Sequence, residues 1–309
     1  MDKLAAMRAF VAIVDEGSLT AAAAALGKAP PSMVRILATL EAHLGVPLLH
    51  RTTRRMSLTE EGRVYLDRCR RILADVDEAE QAVAADGAEP RGEIRATAPI
   101  LFGRGHVAPA VAEFVRRHPG VRVELLLLDR VVDLVEEGID VGVRIGRLPD
   151  SSLIAVPVGQ VRRVVVASPA LLRRGAPRHP SELAALPCVE HLNSGTAGRW
   201  SFRDADRERD LTVRVRSAFA CNQAAAIVQA CVEGLGVGRF LSYQVEPEVR
   251  AGSLRVLLEA FEPEPVPVQL VYPGARWMSA RLRAFVDELG AKLQARPEIR
   301  KASPRRASR

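Results

Sequence analysis

At 309 residues the chain is too long for one ordinary domain, and 48% hydrophobic residues are enough for two or three compact units. No apolar run approaches membrane-spanning length. The opening MDKLAAMRAF lacks the apolar stretch of a secretory signal, so the expected location is the cytoplasm. The formal net charge of +7 is a poor guide to partners, because residues 296–309 alone hold six Lys/Arg and one acid, whereas residues 1–91 hold 12 Lys/Arg and 13 Asp/Glu. The useful signal is local: positions 28–71 carry nine basic and four acidic residues, and positions 75–89 carry six acids and no base.

A first helix is expected over residues 4–15, with apolar residues at 4, 7, 10, 11 and 14 on one face. Ser18 can cap a second helix over 19–26, ended by Gly27. Pro30 stands at the start of a third, which runs to about residue 44, with Gly45 in the position of a left-handed cap. A five-alanine run in the second helix lets two helix backbones approach closely. A ribbon bearing Arg51, Arg54 and Arg55 follows. Helix, short turn, helix and basic ribbon fit a DNA groove and its flanking phosphates. The plain alternative is a small helical hairpin with a charged loop.

Thr59 can cap a long helix reaching about residue 86, with Glu60 and Glu61 in its first turn. Tyr65, Cys69, Ile72, Val76, Ala79 and Val83 recur at spacings of four and three, which is a coiled-coil seam. Such a helix packs on its own domain or on a partner. Nothing before residue 59 supplies obvious cover, so self-association is the expectation. The stretch GAEPRG (87–92) reads as a hinge. Beyond it, strands are expected at 93–98, 121–128, 141–145, 163–167 and near 237–241, with helices at 107–118, 131–137, 224–233 and 281–293. That alternation predicts an α/β domain with a largely parallel sheet. The tail 296–309 reads as disordered.

The N-terminal stretch resembles the winged helix-turn-helix of LysR-type transcriptional regulators. The matching residues are Met7, Phe10, Val11, Gly17, Ser18, Ala22, Ala23, Leu26, Gly27, Leu40, Glu41, Leu44, Gly45, Leu48, Leu49, the run Arg51-Thr52-Thr53-Arg54, Leu58, Thr59 and Gly62. The resemblance continues to about residue 295 through FGRGHVAPAVAEFVRRHP, DLVEEGIDVGVRIG, VVVASPALLRRGAPRHPSEL, CVEGLGVG and RLRAFVDEL. It implies an α+β multi-domain chain: a winged helix-turn-helix over 1–59, a linker and dimerisation helix with hinge over 60–91, and a two-lobed α/β, periplasmic-binding-protein-like effector domain over 92–295. Lobe I would comprise 92–160 and 267–295, and lobe II 161–266, with crossings near 158–161 and 266–270. A basic tail, 296–309, completes the chain. The implied partners are double-stranded DNA, a small-molecule effector, further copies as homodimer or homotetramer, and RNA polymerase if the output is activation. No membrane, metal or cofactor is implied.

On this reading Ser18, Pro30, Pro31, Ser32, Met33 and Arg35 form the DNA-facing set. Pro31 and Met33 would meet thymine methyls, while Ser32 and Arg35 make polar contacts. Arg51, Thr52, Arg54 and Arg55 would hold phosphates or the minor groove. Relatives often begin the recognition helix Ser-Gln-Pro/Ser-Ala-Val-Ser. Here Ala29 replaces the capping serine, and Pro30 and Val34 replace polar residues, which implies an altered sequence preference. The resemblance assigns the effector cleft to Thr97, Pro99, Leu101, Phe102, Leu128, Arg144 and Asn222, an apolar set that favours an apolar or weakly acidic ligand. Arg144 has the alternative of pairing with Asp129 or Asp133, and Asn222 that of capping a helix.

A thiol-based redox sensor of the same architecture is one alternative. Cys69, Cys188, Cys221 and Cys231 lack metal-ligand spacing, and Cys221 and Cys231 on one helix would lie ~15 Å apart, beyond disulfide reach. A small-molecule-binding protein or an enzyme without a DNA role is the other. No G-x-S-x-G elbow, phosphate loop or H-E-x-x-H is present, the six histidines are scattered, and Gly234-x-Gly236-x-Gly238 lacks the strand-first context of a dinucleotide fingerprint. That glycine run instead suits close helix–strand packing.

Overall fold

The computed structural model describes residues 1–51, 56–84, 89–147, 153–192, 198–204, 207–274 and 278–299. Two compact units divide at residue 88. In the first, α1 (Lys3–Asp15) is capped by Asp2, whose carboxylate accepts the Ala5 N–H at 3.0 Å. Ser18 caps α2 (Leu19–Ala25) in the same way, through the Ala21 N–H at 3.1 Å. Then α3 (Pro30–Leu44) begins at Ala29, which offers no side-chain cap, and stops at Gly45 in the left-handed conformation. Phe10, Ile13, Ala22, Ala23, Leu37 and Leu40 close over one another as the core of the three helices. A two-stranded antiparallel wing follows: β1 (Leu49–Arg51) and β2 (Met56–Leu58), registered Leu49 with Leu58 and Arg51 with Met56.

Thr59 caps α4 (Glu60–Ala84) by accepting the Gly62 N–H at 2.8 Å. The seam expected to face a partner does not do so along its first turns. Leu66, Cys69 and Leu73 are buried, Tyr65 lies 5.8 Å ring to ring from Phe10, and both Tyr65 and Cys69 belong to the core shared with α1. The apolar stripe of α1 supplies the cover that the sequence reading missed. Burying each of the two leucines is worth ~2 kcal/mol. Ile72 stays exposed and Val76 half-buried, while the side chains of Ala79 and Val83 lie outside the described residues.

The second unit contains two five-stranded sheets. One has the order β4 (Val121–Leu127), β3 (Gly92–Ala98), β5 (Val141–Ile145), β14 (Val266–Pro273), β6 (Leu153–Val161). The other has the order β11 (Arg216–Cys221), β8 (Pro187–His191), β12 (Val237–Leu241), β7 (Arg163–Ala167), β13 (Arg255–Leu257). Both sheets are mixed, which corrects the expectation of a largely parallel one. β3 is parallel to β4 and β5, and β8 is parallel to β11 and β12, but β14 runs antiparallel to β5 and β6, and β7 antiparallel to β12 and β13. The cause is the crossing. The chain leaves the first sheet along β6 and returns along β14, with Val161 opposite Val266, so the returning strand must run against its neighbours.

Further differences are local. The helix expected from residue 107 begins at Ile100: α5 (Ile100–Phe102) passes through a π-helical stretch, Gly103–Val107, into α6 (Ala108–Arg117). No helix forms over 131–137. The Asp133 carboxylate accepts the Val135 and Glu136 N–H groups at 2.9 and 3.0 Å and holds a tight turn instead. An antiparallel hairpin of β9 (Arg199–Asp204) and β10 (Arg209–Arg214) was not anticipated, although its alternating burial is visible in RWSFRD. Residues 297–299, expected to be disordered, make a 3₁₀ turn with Ile299 buried against Gly159; residues 300–309 lie outside the described ones.

Packing on both faces of each sheet completes the lobes. Phe102, Phe114, Leu270, Phe285 and Leu289 fill one face of the first, with α6 against α9 (Ala280–Gln294) through the edge-on Phe114–Phe285 pair at 5.0 Å. In the second, α7 (Ala224–Val232) and α8 (Ser242–Arg250) cover Val164 and Val166, and the β9–β10 hairpin covers Val165 and Ala167. A side chain at Gly238 would collide with Cys231 Sγ and the Phe240 ring, so the glycine run does allow close helix–strand packing.

Candidate nucleic-acid interface and effector domain

The exposed face of α3 is defined by what α3 buries. Met33, Leu37 and Leu40 point into the core, leaving Pro30, Pro31, Ser32, Val34, Arg35 and Ala38 outside. This corrects one expected contact: Met33 is fully buried and cannot touch a base. Val34, one residue and ~100° further round the helix, is 41% exposed and takes its place on the outer face. The signal was present in the i, i+4, i+7 spacing of Met33, Leu37 and Leu40, which marks a core stripe. Thr39 also faces out, but its hydroxyl donates to the Arg35 carbonyl at 2.8 Å. Ser18 caps α2, so its oxygen is engaged in the fold.

The wing is tied to the recognition helix by side chains. Glu41 Oε1, on α3, accepts the Leu48 and Leu49 N–H groups at 2.8 and 3.3 Å. Thr59 Oγ1 donates to the Pro47 carbonyl at 2.9 Å while it caps α4. Gly62 has Leu48 O where a Cβ would stand, at 2.0 Å. The strand carrying Arg51 is therefore held between α3 and α4. Thr52, Arg54, Arg55 and the Arg51 side chain lie outside the described residues. Two exposed ion pairs, Asp15 with Arg70 and Arg8 with Asp77 (2.9 Å), join α1 to α4 and contribute about 0–1 kcal/mol each.

Residues 4–63 match the bacterial regulatory helix-turn-helix protein family, lysR type, and residues 87–294 match the LysR substrate binding domain. The chain belongs to the LysR family of transcriptional regulators. It is 37% identical over 290 residues to the HTH-type transcriptional regulator PtxR of Pseudomonas aeruginosa, covering 94% of this chain and 92% of that one. The LysR-type regulator CrgA of Neisseria meningitidis superposes with a TM-score of 0.60 at 31% identity, over 94% of this chain and 98% of the other. The Vibrio cholerae virulence activator AphB superposes with a TM-score of 0.59 at 25% identity, over 93% and 98%. The chain is thus a DNA-binding transcriptional regulator with an effector-binding domain, from a family of regulators and not of enzymes. Among the described residues no helix is long and apolar enough to cross a membrane.

The residues expected at the effector cleft of this LysR-type domain fall into distinct environments. Thr97 is buried at the end of β3, and its hydroxyl has no partner among the described residues. Pro99, Leu101 and Leu128 are half-buried around the start of α5. Phe102 is fully buried, packing edge-on to Tyr243 of α8 at 5.1 Å, so it holds the two lobes together and offers no exposed lining. Arg144 pairs with neither Asp129 nor Asp133: its Nη2 donates to the Val132 carbonyl at 2.9 Å. Burial lowers its pKa, and Glu137 opposes that shift. Asn222 is exposed and caps nothing, since Gln223 is the N-cap of α7 and makes no side-chain bond. Thr97, Pro99, Leu101 and Phe102 lie together at one end of β3; Asn222 belongs to the other lobe.

One residue at this place was missed. Asp129 Oδ1 accepts the Ile100 N–H at 3.0 Å, so an internal carboxylate already occupies the start of α5. Nearby, His106 Nδ1 is buried beside the Phe102 and Tyr243 rings with no partner among the described residues, and burial together with Arg296 lowers its pKa. A cavity of about 400 Å³ lies beside the crossings, lined by Gln160, Arg162, Tyr243, Glu246 and Glu298 among others and by none of the seven expected effector residues. The cysteines are free. Burial pushes Cys69 up to about 11 and Cys188 and Cys231 up to about 12, the opposite of a reactive thiol.

Proposed function

We propose that this LysR-type regulator reads bases with Ser32, Val34 and Arg35 on the outer face of α3, and holds the flanking phosphates with Arg51, Thr52, Arg54 and Arg55 of the wing. The observation that carries the reading is the exposure of those α3 residues on a helix whose opposite face is locked in the core and whose wing is tied to it through Glu41. Arg35 suits a guanine and Val34 a thymine methyl. With an exposed valine at position 34, this chain's operator is shifted toward apolar contact there.

Two copies joined along the later part of the α4 seam, through Ile72, Val76, Ala79 and Val83, would present two recognition helices to an inverted repeat. Assembly into tetramers, action in the cytoplasm, and contact with RNA polymerase where the output is activation belong to the same reading. The effector would bind around Thr97, Pro99, Leu101, Leu128 and Arg144 and shift the arrangement of the dimers on DNA.

Arg35→Ala with an unchanged circular dichroism spectrum should lose about 10- to 100-fold in discrimination between its selected site and random DNA, the equivalent of ~1–3 kcal/mol. Full selectivity in the Arg35→Ala/Ser32→Ala double variant would overturn the assignment.

A further inference from the structure

Two arginines stand side by side in lobe II, neither in an ion pair among the described residues. Arg163 opens β7 and Arg239 lies on β12. In the antiparallel register Arg163 pairs with Leu241 and Arg239 with Val165, which makes the two arginines diagonal neighbours. Strand alternation puts Arg163 on the face of Val165 and Ala167, and Arg239 on the face of Val237, which is the layer under the β9–β10 hairpin. Arg239 lies over the Trp200 ring at 5.3 Å and donates to the Ser201 carbonyl at 3.4 Å. Arg163 is half-buried, and its side chain has no hydrogen bond or ion pair among the described residues.

The carboxylates that could neutralise the pair are engaged elsewhere. Glu190, on the same sheet face, accepts the Gly198 N–H and Trp200 Nε1–H at 3.1 and 3.3 Å and makes no ion pair with either arginine. Asp204 faces Arg207 and Arg209, and Glu259 and Glu262 face Arg162. Burial and the neighbouring Arg163 charge bring Arg239 down to about 10, with the Glu190 charge opposing them. Among the described residues not engaged by other arginines, this face sets only the Glu190 charge against two cations, one negative charge short.

We propose that Arg163 and Arg239 form an anion site in lobe II that takes a small organic carboxylate. The forked guanidinium of Arg163 would bind it, and Arg239, fixed by Trp200 and Ser201, would supply the second donor. Arg163 follows Val161 by two residues, at the mouth of the crossing strand, so occupancy there bears directly on the hinge between the lobes.

The chain has two tryptophans, so Trp277→Phe leaves Trp200 as the sole reporter. Its fluorescence is titrated with sodium acetate replacing sodium chloride at constant ionic strength. The expected result is a saturable change with a millimolar midpoint, moved at least tenfold by Arg163→Gln and left in place by Arg216→Gln, an exposed arginine of the same lobe. Because Arg163→Gln also relieves an unpaired like charge, its melting temperature in chloride should equal or exceed that of the parent. A response linear in acetate, a saturable response that survives Arg163→Gln, or a lower melting temperature for that variant would each overturn the proposal.

Discussion

Glu41 on α3 accepts the Leu48 backbone N–H at 2.8 Å, so the position of the wing is set by a side chain of the helix proposed to enter the groove. Glu41→Ala leaves the Leu48 and Leu49 donors unpaired, at about 1–3 kcal/mol for a buried group. The expected outcome is weaker DNA binding with a shallower dependence on salt, because phosphate contacts of the wing are lost first. Glu41→Gln retains an acceptor and should recover part of both. Binding isotherms at three salt concentrations check this; an unchanged salt slope in Glu41→Ala would mean that the wing is positioned by other contacts.

Gly62→Ala tests the same junction from the α4 side. Its Cβ would fall 2.0 Å from the Leu48 carbonyl oxygen, in backbone that cannot move without displacing the wing. A loss of about 3 kcal/mol from the N-terminal unit is expected, with DNA binding abolished and the melting of the effector domain unaffected. Calorimetry of the full chain resolves the two transitions. A full-strength first transition would contradict the close approach.

His106 makes stability depend on pH. Its folded pKa lies below the ordinary imidazole value of about 6.5, so the unfolded chain binds more protons as pH falls through that value. The stability held by the neutral, buried ring is therefore present above about 6.5 and is lost as pH drops from there toward the depressed folded value. Between pH 7 and 5 the melting temperature of the effector domain should fall more steeply in the parent than in His106→Asn. Equal slopes would show that the ring is solvated.

The thiols should divide by burial. Cys69, Cys188 and Cys231 are enclosed and held protonated, whereas Cys221 is half-buried at the end of β11. An aromatic disulfide reagent at pH 8 is expected to label one thiol promptly and the other three only on unfolding. Rapid labelling of Cys188 or Cys231 in the native chain would revive a redox-sensing reading.

The legible parts of the sequence were those written in local chemistry. Ser18, Gly45 and Thr59 fix helix ends through their own side chains or backbone freedom, and the strands over 141–145, 163–167 and 237–241 are short apolar runs that leave little choice. Features depending on distant residues were not legible. The cover that α1 gives to Cys69 and Tyr65 looked like a vacant seam, because a period of four and three reports an apolar face and not its partner. Met33 fell on the wrong side of α3 by one residue. The antiparallel return of β14 follows from the crossing, which no local pattern states. Asp129 reaches Ile100 across 29 positions, and the diagonal placement of Arg163 beside Arg239 needs the register of β7 on β12.

The central claim is that an N-terminal winged helix-turn-helix, reading through Ser32, Val34 and Arg35, makes this LysR-type chain a sequence-specific DNA-binding protein. The most direct test is selection of binding sites from random duplex DNA by the full chain at one fixed salt concentration. Enrichment of an inverted repeat, with half-sites about one helical turn apart and specificity altered at defined positions by Arg35→Ala, is the predicted result. A pool that stays random after several rounds, or one whose consensus is the same for the parent and for Arg35→Ala/Ser32→Ala, would contradict it.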